Sequence, residues 1–91
     1  MTRILDLGAW DLPVDQISDV ATIMGPDGHG YLVLEVKSSP DLAIFSDPDQ
    51  DLVLRVMGYL GDAVYDGCAP KIVLADMIRR ARAGIPEVIL E

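Results

Sequence analysis

The stretch "GYLVLEVKS" (30–38) constrains this chain more than any other. Leu32, Leu34 and Val36 fall on one side of an extended backbone. Tyr31, Val33, Glu35 and Lys37 fall on the other, so the segment reads as a half-buried strand of period two. Before it stands "GPDGHG" (25–30), where three glycines and a proline can reverse the chain. Before that, "DVATIM" (19–24) is rich in β-branched residues. The three together predict a β-hairpin pairing 19–24 with 30–38. A helix competes for the first arm: Val14, Ile17, Ala21 and Met24 have helical spacing, with Pro13 near the start and Gly25 past the end. The run Val20, Thr22, Ile23 and the turn behind it favour the strand.

The remaining segments arrange themselves around that hairpin. "RILDL" (3–7) is a short first strand ended by Gly8, and "GAWDLPVDQ" a connection whose Trp10 covers an edge of the core. "DLAIFS" (41–46) is a third short strand. Over 48–66 the period becomes helical, with Leu52, Val56, Tyr59, Leu60 and Ala63 on one face. Gly58 and Gly61 each cost about 1 kcal/mol against alanine in a helix interior, so they end the helix early or let another backbone approach. "DGCAP" (66–70) is a turn, and Pro70 suits the first position of a second helix carrying Leu74, Met77, Ile78 and Ala81. Gly84 caps that helix, Pro86 blocks it, and "EVILE" (87–91) adds a last strand. The expected fold is a single α+β domain over 1–91, a small two-layer sandwich of order β-β-β-α-α-β. Two helices cover one face of a mainly antiparallel sheet.

A chain of 91 residues has a small core, yet 51 % of its residues are hydrophobic. The excess of apolar surface predicts a homodimer or a partner that covers it. An exposed 87–91 edge would be one place for two copies to join. Cys68 is the only cysteine, so no internal disulfide forms and a reducing, cytoplasmic setting is expected. The N-terminal residues lack the apolar region of a signal peptide, and no apolar run approaches the roughly 20 residues that span a bilayer.

Fifteen acids against seven bases give a formal charge of −8. Residues 1–69 hold 12 acids and three bases, and residues 70–91 three acids and four bases. Such a field repels nucleic acid and anionic membranes, and it either favours a partner protein with a basic surface or serves solubility alone, the commoner use of such a charge.

The acidic run "SDPDQD" (46–51) sets Asp47, Asp49 and Asp51 at positions 1, 3 and 5 of a calcium loop. Positions 6 and 12, which need glycine and glutamate, hold Leu52 and Gly58. A helix start explains it better: Asp47 as N-cap, Pro48 at the first helical position and Gln50 completing a capping box. No metal or cofactor is expected. His29, the only histidine, lies in a glycine-rich turn and lacks a nearby nucleophile. Cys68 is the only nucleophile with which it could pair. "GPDGHG" lacks the lysine and hydroxyl of a phosphate loop. "RRAR" (79–82) balances the end of the second helix, with Asp76 able to pair with Arg79 or Arg80.

The chain thus reads as a small acidic, non-catalytic protein–protein interaction module, a regulator or inhibitor. Its expected partner-binding residues are Asp47, Asp49, Asp51, Asp62, Asp66, Arg79, Arg80 and Arg82. Three alternatives stand beside this: an acidic phosphate-mimicking inhibitor of a nucleic-acid-binding enzyme, of phage anti-defence or immunity type; a structural subunit of an assembly; and a small enzyme or ligand-binding protein using His29 and Cys68.

Overall fold

A computed structural model describes residues 3–84. The fold is α+β, with two helices and two three-stranded sheets. Strand β1 (Ile4–Asp6) pairs antiparallel with β2 (Asp11–Pro13) and parallel with β6 (Lys71–Val73), giving a small sheet of order β2-β1-β6. A 3-10 turn (Val14–Gln16) leads into β3 (Ile17–Met24), which joins β4 (Gly30–Val36) and β5 (Leu42–Asp47) in an antiparallel meander of order β3-β4-β5. Helix α1 (Gln50–Tyr65) follows β5, and α2 (Leu74–Ala83) follows β6.

The alternation in β4 orients the larger sheet. Leu32 and Leu34 have no exposed surface, and they meet Val53, Val56 and Leu60 of α1 in one core. Gly30 belongs to the same contact. A Cβ there would stand 3.2 Å from Val53 Cγ2, so the glycine lets α1 lie close to the sheet. Leu5 and Ile72, paired across β1 and β6, bring the small sheet into that core. Helix α2 packs along α1 through Leu74 and Ala81. Gly84 then takes the left-handed conformation, φ 67°, and closes it, as its place in the sequence predicts.

The hairpin is present, and 17–24 is strand, not helix. Other details differ from expectation. The expected single sheet is two, because β2 and β6 flank β1. The expected connection after Gly8 contains β2. Pro70 does not open a helix: residues 71–73 pair with β1 first, and α2 begins at Leu74. Gly58 and Gly61 do not end α1, which runs to Tyr65. The strand expected at 87–91 lies outside the described residues.

The start of α1 falls two residues later than the capping box places it. Asp49, not Asp47, is the N-cap, accepting from the backbone N–H groups of Asp51 and Leu52 at 3.0 and 3.2 Å. Asp47 closes the turn before it, accepting from Asp49 N at 2.9 Å. Gln50 does not reach back to a cap. Its side-chain amide donates to the Gly28 carbonyl at 2.8 Å and ties the helix start to the hairpin turn.

Candidate docking surfaces

The eight charged residues expected to bind a partner do not form one face. Asp47 and Asp49 are committed to the helix start, and Asp47 Oδ1 also lies 3.5 Å from Arg82 Nη2. Arg79 pairs with Asp76 on its own helix. Asp51 and Asp62 are exposed along one side of α1, about 17 Å apart at 1.5 Å per residue, with Arg55 between them. Asp66 sits at the C-cap of α1. Asp51, Asp62, Asp66 and Arg80 have no side-chain partner among the described residues.

The Cys68–His29 pairing is not formed. His29 stands in the hairpin turn beside the start of α1. Cys68 lies past its end and is exposed, not buried. A helix of this length separates them by about 24 Å. Tyr59 is half-buried and packs against the core. Among the described residues, no group of three or more His, Cys, Asp or Glu side chains could hold a metal ion. No helix among them is long and apolar enough to cross a membrane.

The hairpin turn carries a different cluster. Asp27 accepts from the His29 backbone N–H at 3.1 Å and from the Tyr31 hydroxyl at 2.8 Å. These two bonds hold its carboxyl below the ordinary carboxylate range, the backbone bond most. Tyr31 is raised in return, because the bond to Asp27 favours the neutral phenol. The cluster is exposed, and the bonds it makes fix the turn.

A second surface was not foreseen. Trp10 is 49 % exposed, not tucked over a core edge. The chain turns tightly between β1 and β2, with Leu7 N donating to Trp10 O and Gly8 N to Asp6 Oδ1. That turn carries the indole outward. It forms one wall of an open groove of about 440 Å3. Leu12, Val36 and Leu42 supply apolar lining, and Gln16, Lys37 and Asp41 polar lining. Asp11 and Asp15, each next in sequence to a lining residue, are exposed like Asp41, and none of the three has a side-chain partner among the described residues. The turn after β4 bounds the groove, and there Ser38 holds φ 64°, a conformation uncommon outside glycine. In the sequence Trp10 looks like any core aromatic; only the tight β1–β2 turn, closed by the pairing of Asp6 with Asp11, distinguishes it.

A third surface follows the free edge of β3, where Ile23, Met24 and Leu54 are exposed around a cleft of about 170 Å3.

No protein-family model, no curated protein and no solved structure matches this chain.

Proposed function

We propose that this protein is a small acidic interaction module that docks, through the Trp10 groove, onto a basic segment of a partner protein and regulates or inhibits it. The observation that carries the reading is the half-exposed Trp10 beside the apolar residues Leu12, Val36 and Leu42, with Asp41 and Lys37 both lining the groove. Tryptophan is enriched among the residues that dominate binding energy when they fill a partner's pocket. Asp41 in the lining offers a cationic group on the partner one charged contact. The charge of −8 acts in the same direction at longer range.

The phosphate-mimicking version draws less support, because Asp47 and Asp49 are engaged in the fold and Arg55 interrupts the remaining acids of α1. An enzyme using His29 and Cys68 draws little, since α1 separates the two. A single exposed thiol, Cys68, suits a reducing compartment, and on that ground we place the protein in the cytoplasm.

Quantitative affinity capture with wild-type, Trp10→Ala and Asp41→Lys baits tests the reading. A partner with a basic surface should be retained by the wild type and lost from both variants. A partner held equally by all three baits would remove the groove from the account.

A further inference from the structure

We infer that the free edge of β3 and the adjoining flank of α1 form a two-fold interface between two copies of this chain. Among the described residues, the order β3-β4-β5 leaves β3, eight residues long, as an unpaired edge of the larger sheet. Such an edge offers a row of unpaired backbone groups, and natural edges are usually blunted by lysine, proline, a bulge or a cover. Strand β3 contains no lysine or proline, and its one irregularity lies at its start, between Ile17 and Asp19. Helix α2 does not cover it. That helix lies on the other side of α1, where Arg82 meets Asp47 and Arg55 donates to Ala81 O.

The flank of α1 beside this edge has an unusual composition. At 100° per residue, Leu54, Gly58, Gly61 and Tyr65 fall within about 60° of one another. Leu54 lines the cleft with Ile23 and Met24, and the Tyr65 hydroxyl donates to Asp19 Oδ1 at 3.1 Å, so the stripe faces β3 along its whole length. Leu54 and Tyr65 are about half exposed. A Cβ at Gly58 or Gly61 would meet no atom within 4 Å. Two helix-weakening glycines therefore serve no close contact among the described residues, and they leave room for a backbone from outside the chain.

A second copy fits this room. Antiparallel pairing of β3 with its symmetry mate makes one six-stranded sheet with both α1 helices on the same side. Because α1 runs back along β3, the same two-fold sets the stripes against each other in opposite directions. Leu54 then approaches the mate's Tyr65, and the glycines meet near the axis. The chain is strongly acidic; within the strip itself the acid is Asp19, whose carboxylate is engaged by Tyr65, while exposed Asp51 and Asp62 flank the stripe on α1. Repulsion between these acids on the two copies should be screened by salt, so the dimer should tighten as salt rises. A strip about 27 Å long and roughly 20 Å deep gives about 1,100 Å2 from both copies, near the lower limit for a specific interface, so the dimer should form at micromolar concentration.

The Trp10 groove lies outside this interface, so the two proposals fail separately. Sedimentation equilibrium of the full chain from about 1 to 200 μM tests this one, with a mass rising from 9.9 kDa to twice that value. Thr22→Lys, on the edge, and Gly58→Leu, on the stripe, should each weaken dimerisation at least tenfold with an unchanged circular dichroism spectrum. Gly58→Ala should raise the urea midpoint of the monomer while still weakening the dimer, which separates loss of interface from loss of fold. A mass of one chain at 200 μM would overturn the proposal. So would a dimer whose dissociation constant is unmoved by Thr22→Lys and Gly58→Leu. Capture of an extended peptide at β3 by a chain that stays monomeric would also overturn it, in favour of a foreign strand.

Discussion

Asp47 Oδ1 and Arg82 Nη2 lie 3.5 Å apart, joining the end of β5 to the last turn of α2. The pair connects the two charged stretches that stand out most in the sequence. Asp47 is the less exposed member, 21 % against 59 %, and it also accepts from Asp49 N. Arg82→Ala and Asp47→Ala should each cost about 0.5 kcal/mol or less, as for other surface pairs. A double-mutant cycle in urea should give a small coupling that shrinks in about 0.5 M salt.

Asp49 should matter more than Asp47 for α1 itself. It is the N-cap, so Asp49→Ala should lower stability by about 1 kcal/mol, and Asp49→Ser should recover most of it. If Asp47 were the cap instead, Asp47→Ser would be nearly neutral and Asp49→Ala would cost little. Urea unfolding of the three variants distinguishes the two registers.

Arg3 fastens the beginning of the chain to the end of α1. Its guanidinium donates to the carbonyls of Ala63 at 2.6 Å, Val64 at 3.1 Å and Ala69 at 2.9 Å. These include carbonyls that the helix end leaves without partners, and the cation lies at the negative end of the helix dipole. Arg3→Ala should cost about 1.5–3 kcal/mol. Arg3→Lys should not restore it, because an ammonium cannot span three carbonyls as the planar fork does. Thermal unfolding checks both.

The hairpin turn should make a small pH-dependent contribution. Asp27 is held below its ordinary value of 3.8, so its share of stability is present above that value and lost as pH falls through the folded pKa. Tyr31 is raised above 10.0, so its share is present below that value and lost as pH rises through its folded pKa. In Asp27→Asn the Tyr31 titration, followed by ultraviolet absorbance, should move back toward 10.0. At Gly25 a Cβ would stand 2.3 Å from Tyr31 Cε1, so Gly25→Ala should displace the ring and break its bond to Asp27.

Elements with a strong local period were legible in the sequence. The alternation of Tyr31 to Lys37 and the helical spacing of Leu52 to Ala63 marked β4 and α1, and the β-branched run Val20 to Ile23 marked β3. Strands β2 and β6 were not legible. Three residues carry no period, and they become strands only because Leu5 pairs with Leu12 on one side and Ile72 on the other. The cap shifted to Asp49 for a related reason: β5 continues through Asp47, and the sheet holds those residues extended. The expected charged site was less legible still. Charge in a sequence does not show which carboxylates the fold will use, and Trp10 gives no sign that a four-residue turn will expose it.

The central claim, docking through the Trp10 groove, has a direct optical test, since Trp10 is the only tryptophan. Its fluorescence should be recorded as a captured partner, or the basic segment of one, is titrated in at low and at high salt. The account predicts a blue shift as the half-exposed indole leaves water, with affinity falling at least tenfold between about 50 and 500 mM salt and lost in Trp10→Ala. An unchanged emission spectrum at saturation, with the partner binding Trp10→Ala as tightly as the wild type, would contradict it.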